Sequence, residues 1–271
     1  MAKTWRNVGV VSVLTSVSRV LGLARDVLMF AALGAGLWNS AFVLAFTLPN
    51  LFRRLFGEGA LSAALVPVFS DVLGRDGRAA AFGFLNKVLS RLAVVLVALV
   101  LCGVAGLLVA LAADRVSGRW VPAAGLSAVL LPYMPLICTA AVVSSGLHLF
   151  GRFAAAASTP VFLNLAMIAA LAAALWRGAD AAATVGWLCG GVLAGGCLQL
   201  LIPSGALARE GWRPQWSPGR GGADLAALWR LFLPGVMGAA ILQVNILVSR
   251  LLAYSLDDSA ASLLYLASRL M

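Results

Sequence analysis

The chain has 271 residues and a formal net charge of +10, with 62% hydrophobic and 11% charged residues and a mean hydropathy of +0.98. Soluble domains are about half apolar and a quarter charged, so a water-soluble fold of this length could not bury so much apolar surface. The composition therefore excludes an ordinary soluble domain and predicts an all-α polytopic membrane protein, with room for about eight spans of roughly 20 residues.

Apolar runs separated by turn residues predict eight spans in chain order. They cover approximately residues 7–33, 39–70, 84–112, 122–150, 158–176, 183–203, 225–254 and 258 to the end. The separating segments are rich in Gly, Asp and Arg and lie at residues 34–36, 74–77, 114–118, 177–180 and 257–258. The last run stops after about 14 residues, too few to cross a bilayer, so we expect part of a longer protein or a truncated one.

A polar stretch from Arg209 to Gly222 is the one linker with the character of a domain boundary. It predicts an N-terminal lobe of six spans over residues 1–205, a cytoplasmic linker over 206–224 and the start of a second lobe over 225–271. Of the Lys and Arg residues outside the span interiors, eleven fall on the side of the N-terminus and three on the opposite side. Because positive loops stay in the cytoplasm, this asymmetry predicts a cytoplasmic N-terminus.

The polar residues that remain exclude several functions. The basic residues lie at the ends of apolar runs rather than in one patch, so we predict no nucleic-acid partner. No Walker loop, carboxylate pair or Ser/His/Asp set is present, which predicts neither an enzyme nor a cofactor. The cysteines lack a CxxC pair and nearby ligands, which predicts small buried side chains and no metal site at Cys102, Cys138, Cys189 and Cys197.

Other polar and small residues within the spans predict helix packing. Amide side chains inside apolar runs most often link neighbouring helices, and they are Asn164, Gln199, Gln243 and Asn245. Gly191 and Gly195 form a small-xxx-small pair, which predicts a close helix–helix contact. His148, the one histidine of the chain, is predicted to lie at the membrane interface beside Arg152.

Span one contains Arg19, Arg25 and Asp26, although an arginine in the bilayer interior costs roughly 2.5–3.5 kcal/mol. Arg19 lies about 12 residues inside the span, too deep for easy snorkelling, and Asp26 returns to the same helical face seven residues later. Arg25 points elsewhere on a straight helix, unless Gly22 permits a kink or a close approach. We interpret both arginines as cavity residues, whereas Asp26 either joins them in binding or reduces the burial cost of an arginine.

Span two contains Arg53 and Arg54 after Pro49, which removes a backbone donor and can open the helix so that polar groups face a cavity. Arg54 can pair with Asn50 and with Glu58, each four residues away. Arg53 has no carboxylate at helical spacing, and the sequence therefore predicts that it is the freer cation of the two.

Arg250 and Arg269 lie near the ends of their apolar runs, so spacing alone leaves snorkelling and a cavity position equally open. Several guanidinium groups within a membrane favour a phosphate-bearing ligand, because their planar fork of donors matches phosphate oxygens and stays charged when partly desolvated. A ligand admitted between spans can itself be a lipid. The predicted binding set is Arg19, Arg25, Asp26, Arg53, Arg54, Arg250 and Arg269, and the predicted structural or kink residues are Gly22, Pro49, Asn50 and Glu58.

Three segments of the first two spans closely resemble the N-terminal signature of the MurJ/MviN lipid II flippases, members of the multidrug/oligosaccharidyl-lipid/polysaccharide exporter superfamily. They are residues 18–26 (SRVLGLARD), 34–36 (GAG) and 48–71 (LPNLFRRLFGEGALSAALVPVFSD). The likeness thins to hydropathy through spans three to six and sharpens again at residues 243–253 and 265–270. It implies the N-terminal six-helix lobe of a two-lobed 14-helix transporter, plus the seventh helix and part of the eighth, working by alternating access in the bacterial cytoplasmic (inner) membrane.

The resemblance also implies a substrate. By residue match, Arg19, Arg25, Arg53 and Arg250 would line a central cavity that receives a pyrophosphate, with Arg269 a further arginine of the family pattern. The implied substrate is lipid II, an undecaprenyl-pyrophosphate-linked disaccharide peptide used in peptidoglycan synthesis, in contact with membrane lipids. The cell-wall synthesis machinery is left open as a further partner.

This chain departs from the family pattern at three positions, where Ser40, Ser249 and Ser268 replace common carboxylates. We therefore expect no ion-pair gate at these positions and a stronger attraction for anions. Two alternatives remain open. An exporter of another lipid-linked glycan or of drugs would show different cavity charges, and a non-transporting, truncated membrane scaffold is favoured by the early stop.

Overall fold

A computed structural model describes the backbone of residues 2–56, 60–219 and 221–270 and, within these ranges, the side chains of residues 8–55, 60–219 and 221–269. The described ranges contain helices and no strand, which confirms the all-α prediction. The helices are α1 (Ala2–Leu33), α2 (Leu37–Phe56), α3 (Ala60–Ala112), α4 (Trp120–Leu130), α5 (Tyr133–Leu149), α6 (Phe153–Trp176), α7 (Ala181–Ala208), α8 (Ala223–Leu256) and α9 (Ala260–Leu270).

Several helices are long and apolar enough to cross a membrane, as expected for a multi-pass protein. The candidates are Val8–Leu33, Leu37–Ala112, Phe153–Trp176, Ala181–Ala208 and Ala223–Leu256, and the bent pair of α4 and α5 adds a sixth. Within the stretch Leu37–Ala112, α2 counts 20 residues and α3 counts 53 residues, or about 30 and 80 Å of helix at 1.5 Å per residue. The stretch therefore contains more than one crossing of a hydrocarbon core about 30 Å thick.

Two breaks divide the long apolar stretches. Gly77 has φ 82° and ψ −179°, a conformation that side chains with a Cβ rarely adopt, so α3 consists of segments 60–76 and 78–112. This confirms the turn predicted at residues 74–77. The span predicted over residues 122–150 is divided into α4 and α5, which meet at a bend of 42°. Pro132 lies at this bend, where it has no N–H for the helical ladder and its ring crowds the preceding turn.

The core lies mainly among α2, α3, α5, α6 and α7, with fully buried side chains that include Phe69, Leu85, Tyr133, Met167 and Leu207. A second, smaller cluster joins α2, α4, α8 and α9. It consists of Ala41, Leu44, Ala123, Tyr254 and Ala261.

The prediction that all four cysteines are buried is half wrong. Cys138 and Cys189 are buried, whereas Cys102 on α3 and Cys197 on α7 are exposed. An apolar run does not distinguish these positions, because a lipid-facing surface is as apolar as a helix–helix interface.

The polar linker lies against α3. The Trp212 indole N–H donates to Asn86 Oδ1 at 2.9 Å, and Asn86 Nδ2 donates to the Arg213 carbonyl at 2.9 Å. The Ser217 backbone N–H donates to Ser90 Oγ at 2.9 Å. With Trp212 only 5% exposed, the linker is attached to α3 rather than hanging free between α7 and α8.

Arg75, two residues before the break at Gly77, joins α3 to the start of α8. Its Nη2 contacts Asp76 Oδ2 at 2.8 Å and Asp224 Oδ1 at 3.0 Å. Hydrogen bonding from this guanidinium lowers the pKa of Asp76 below its ordinary value. The Arg75 side chain is 59% exposed, so these pairs orient α8 more than they stabilise the fold.

Glycines on α7 allow α6 to approach closely. A Cβ on Gly191 would lie 2.7 Å from Ala170 Cβ and 2.9 Å from the Ala166 carbonyl oxygen. A Cβ on Gly195 would lie 3.0 Å from Leu163 Cα. The small-residue packing face predicted from Gly191 and Gly195 is therefore confirmed.

We expect the substitution Gly191→Ala to destabilise the protein by about 1–3 kcal/mol, because the new methyl group overlaps α6 backbone and forces the two helices apart. The control is Gly190→Ala on the same helix, where an added Cβ meets nothing within 4 Å. There the higher helix propensity of alanine should leave stability unchanged or raise it by up to about 1 kcal/mol. Thermal unfolding in detergent measures both. Equal midpoints for the two variants would contradict the packing described for α6 and α7.

Candidate anion-binding cavity

A cavity of about 1220 Å³ lies among the membrane-spanning helices, with lining residues from α1, α2, α5, α6, α8 and α9 and single residues from α3 and α7. All seven side chains of the predicted binding set line it, namely Arg19, Arg25, Asp26, Arg53, Arg54, Arg250 and Arg269. Six arginines and one aspartate give this set a formal charge of +5. The structure thus gathers cations that are far apart in the sequence around one hollow.

The buried part of the cavity centres on the carboxylate of Asp26. Arg25 Nε and Nη2 donate to Asp26 Oδ1 at 2.9 and 2.5 Å, and the Tyr265 hydroxyl donates to the same oxygen at 2.9 Å. Arg269 Nε donates to Oδ2 at 3.0 Å. Asp26 is 3% exposed and Arg25 is 7% exposed. Charge-assisted hydrogen bonds are strong where so little water competes, so these contacts hold α1 against α9.

The expectation that Arg25 points away from Asp26 is wrong. The helix α1 runs as one α-helix from Ala2 to Leu33 through Gly22. The long Arg25 side chain nevertheless reaches the carboxylate of its sequence neighbour and lines the cavity with it. Of the two roles considered for Gly22, the structure shows the close approach. A Cβ on Gly22 would lie 3.2 Å from Arg269 Nη2 and 3.5 Å from Asn164 Nδ2.

Asn164 holds the Arg25 guanidinium from the side of α6. Its Oδ1 accepts a hydrogen bond from Arg25 Nη1 at 2.9 Å, and its Nδ2 donates to the Ser18 carbonyl at 3.0 Å. The Asn164 side chain therefore links α6 to α1, as predicted for an amide within a span. Its second role, orienting an arginine of the cavity, is visible only once the two helices are packed together.

The Arg250 side chain lines the cavity, although Arg250 lies near the end of its apolar run. Its Nη1 donates to Thr47 Oγ1 on α2 at 2.6 Å, and its guanidinium lies over the Tyr265 ring at 5.5 Å from the centroid. Arg269 lies 6.0 Å from the same centroid. An aromatic face attracts a cation by about 0.5–2 kcal/mol, more where water is excluded. Spacing alone left snorkelling and a cavity position open for Arg250 and Arg269. In the structure both side chains line the cavity.

The remaining members of the predicted set lie on α2. Pro49 lies inside this helix, which continues to Phe56, and Asn50 Nδ2 donates to the backbone carbonyl of Phe46 at 3.0 Å. Arg53 is partly buried and Arg54 is exposed, and both line the cavity. Glu58, predicted to pair with Arg54, lies outside the described residues.

From the buried Asp26 and Arg25, the cavity extends towards the N-terminal ends of α1 and α6. Its lining there includes the exposed Arg19, together with Val11 and His148. The His148 ring stacks on Phe153 with the centroids 5.4 Å apart. Neutral polar side chains complete the lining, among them Thr15, Ser18, Ser144, Gln199, Gln243 and Asn245.

At the opposite end, the turn between α1 and α2 closes onto α9. The Ser262 N–H donates to Ser40 Oγ at 3.2 Å, and Ser262 Oγ donates to the Ala35 carbonyl at 2.9 Å. Both serines are fully buried. Ser40, one of the three positions where the resembled family commonly has a carboxylate, thus makes a neutral contact in this closed end.

Three contacts with arginines of the site were not predicted from sequence. They are made by Thr47, Asn164 and Tyr265. Tyr265 precedes Arg269 by four residues, so the two share a helical face, and this spacing is a signal that sequence reasoning could have used. The contacts of Thr47 with Arg250 and of Asn164 with Arg25 join residues more than a hundred positions apart. No local pattern reports such pairs.

Comparison with known proteins identifies one family. A family model described as lipid II flippase MurJ matches residues 29–271. A protein of Rhizobium tropici named probable lipid II flippase MurJ is 34% identical over 268 residues, covering 92% of this chain and 48% of the relative. A protein of the same name from Vibrio cholerae is 33% identical over 276 residues, covering 97% of this chain and 52% of the relative.

A solved structure described as lipid II flippase MurJ in an inward closed conformation matches with a TM-score of 0.73 and 26% identity. The match covers 96% of this chain and 54% of that protein. The chain thus spans about half the length of the curated relatives and of the solved structure that it matches.

We expect Gly22→Ala to weaken anion binding with little net change in stability. The added methyl group displaces the flexible end of Arg269 from Asp26, and the higher helix propensity of alanine, worth about 1 kcal/mol, offsets much of the lost contact. Titration of the detergent-solubilised protein with inorganic pyrophosphate should show an affinity lower by about threefold to tenfold, and the unfolding midpoint should change little. The matched control is Gly9→Ala on the same helix, where a Cβ meets nothing within 4 Å. If both variants bind pyrophosphate as the unsubstituted protein does, the close approach at Gly22 has no bearing on the cavity.

Proposed function

Because the chain belongs to the lipid II flippase MurJ family, we propose that it supplies the N-terminal half of a transporter that moves lipid II across the bacterial cytoplasmic membrane. The observation that carries this proposal is the cavity lined by six arginines and one buried aspartate. The chain is thus assigned to transport rather than to catalysis.

The diphosphate of the lipid is the group that the cavity recognises. A pyrophosphate diester is a dianion at neutral pH, and guanidinium forks bind phosphate oxygens in pairs. The six arginines and Asp26 of the described lining sum to a formal charge of +5, which favours an anionic ligand. Since each charge is costly in hydrocarbon, an incoming anion lowers the energy of the arginines as they lower that of the anion. The undecaprenyl tail stays in lipid between helices, as its apolar surface requires.

Alternating access supplies the movement. In the arrangement described, the buried serines close the end near the turn between α1 and α2, while the cavity lining extends to the opposite end. A head group that enters from the open end reaches Asp26 and its arginines at the closed end. Release on the other side then requires α9 to separate from α1 and α2 there.

The charge of the cavity weighs against the drug-exporter alternative, because six arginines repel a cationic drug. An exporter of another lipid-linked glycan would share the diphosphate chemistry, and the family match favours lipid II over that substrate. We place residues 1–205 in the first lobe, 206–224 in the linker and 225–271 at the start of the second lobe.

We also propose that the N-terminus and the linker lie in the cytoplasm, since eleven of the Lys and Arg residues outside the span interiors lie on that side. With this orientation, the open end of the cavity faces the compartment in which a cytoplasmic precursor becomes available.

The substitutions Arg25→Ala and Arg53→Ala should each reduce flipping in the complete protein by about a hundredfold or more, while membrane insertion remains intact. Removal of Arg25 leaves the buried Asp26 carboxylate short of a partner, a change that costs about 3–5 kcal/mol for a buried pair. Growth of a flippase-depleted strain that carries each variant reports transport. Membrane fractionation reports insertion.

The matched control for these variants is Arg177→Ala, an arginine that lies over the Trp187 ring at 4.8 Å from the centroid and does not line the cavity. This variant should support growth as the unsubstituted protein does. Full complementation by Arg25→Ala or Arg53→Ala would remove the assignment of the cavity to transport.

Orientation can be tested with two single-cysteine variants, Gln215→Cys in the linker and Ser117→Cys in the turn between α3 and α4. Each is made in a background in which Cys102, Cys138, Cys189 and Cys197 are replaced by alanine. Both positions are exposed. With intact cells, a membrane-impermeant maleimide should label Ser117→Cys and should label Gln215→Cys only after the cells are lysed. The opposite pattern would reverse the proposed topology.

A further inference from the structure

Tyr265 of α9 contacts four charged side chains of the cavity, namely Arg25, Asp26, Arg250 and Arg269. We propose that Tyr265 is a positioning residue that sets the spacing of the arginines and thereby the preference of the cavity for a diphosphate over a monophosphate. This inference rests on the proposed function, because it concerns how the same cavity recognises its lipid.

The hydroxyl of Tyr265 connects the two members of the buried pair on α1. It donates to Asp26 Oδ1 at 2.9 Å and accepts a hydrogen bond from Arg25 Nη2 at 3.0 Å. Arg25 Nη2 also contacts the same carboxylate oxygen at 2.5 Å, so the three groups form a closed triangle. A closed set of hydrogen bonds leaves the guanidinium little freedom to rotate, because any rotation breaks more than one contact.

The ring of Tyr265 lies close to two further arginines. Arg250 of α8 and Arg269 of α9 lie 5.5 and 6.0 Å from its centroid. Like charges repel, and the shared aromatic face attracts both cations, so the ring provides a fixed contact that offsets part of this repulsion. Tyr265 thus contacts Arg25 through its hydroxyl and Arg250 and Arg269 through its face, which relates arginines of three different helices to one rigid side chain.

A fixed relation among several arginines matters for a diphosphate in particular. Two linked phosphates present oxygens at two sites that must both meet donors, whereas a single phosphate is satisfied by one cluster. Cations that are free to move still attract either anion by charge. Their preference for the diphosphate depends on being held at the right separation before the ligand arrives.

The test uses the detergent-purified chain with two probes, undecaprenyl diphosphate and undecaprenyl monophosphate. The variant Tyr265→Phe removes the hydroxyl and keeps the ring, and Tyr265→Leu removes both. The chain has three tyrosines, and Tyr133→Phe is the matched control. The Tyr133 hydroxyl is also buried and donates to Gln199 Oε1 at 2.9 Å, and Tyr133 does not line the cavity.

The unsubstituted chain should bind the diphosphate more tightly than the monophosphate. Tyr265→Phe should reduce this ratio of affinities by about tenfold, in line with the loss of a hydrogen bond to a charged group. Tyr265→Leu should reduce the ratio further and also weaken binding of the monophosphate. Tyr133→Phe should lower the unfolding midpoint about as much as Tyr265→Phe does while the ratio stays the same.

An unchanged ratio in Tyr265→Phe, or an equal fall in Tyr133→Phe, would overturn the role of Tyr265 and leave the proposed function standing. Absence of any preference in the unsubstituted chain would overturn both.

A double-mutant cycle separates positioning from a direct contact with the lipid. In an Asp26→Asn background, Tyr265→Phe should change the ratio by less than about threefold, because the hydroxyl acts through the carboxylate that it meets. A full tenfold effect in that background would show that Tyr265 does not act through Asp26.

Discussion

A carboxylate buried in an apolar protein must receive hydrogen bonds and opposite charge, or it cannot stay ionised without a large free-energy cost. Asp26 meets this requirement with four donors from Arg25, Tyr265 and Arg269. The requirement dictates much of the surrounding architecture. The helix α9 must lie against α1 for Tyr265 and Arg269 to reach the carboxylate. Gly22 must lack a side chain for Arg269 to come close, and Asn164 must bring α6 to the other side of Arg25.

The same requirement explains how so many arginines share a membrane-embedded hollow. Among the described residues that line the cavity, Asp26 is the one carboxylate. Arg250 lies instead against a hydroxyl on α2, and Arg250 and Arg269 both lie near an aromatic face on α9. Each of these offers a cation partial compensation rather than a full counter-ion. A site with an excess of positive charge attracts an added anion. A site with one carboxylate for each arginine would be neutral and would attract an anion much less.

Features carried by single helices were predictable from sequence, and features that depend on two helices were not. Hydropathy predicted a chain of apolar helices, and the cost of a buried charge singled out Arg19, Arg25 and Arg53 as cavity residues. The direction of Arg25 was missed, because a helical wheel fixes where a Cβ points and not where a long flexible side chain ends. Sequence spacing also could not choose between membrane surface and cavity for Arg250, since Thr47 and Tyr265, which hold it, belong to other helices. The exposure of Cys102 and Cys197 was missed because lipid and protein interior select the same residue types.

The attachment of the linker to α3 limits how α8 can move. The carbonyl of Gly219 accepts a hydrogen bond from Arg91 Nη2 at 2.6 Å, and α8 begins at Ala223. Only residues 220–222 separate that anchor from the helix, a tether of about 10 Å even when fully extended. The N-terminal end of α8 can therefore change its direction, but it cannot move far from α3. In the proposed transport cycle, this tether favours a tilt of α8 about its N-terminal end over a shift along its axis.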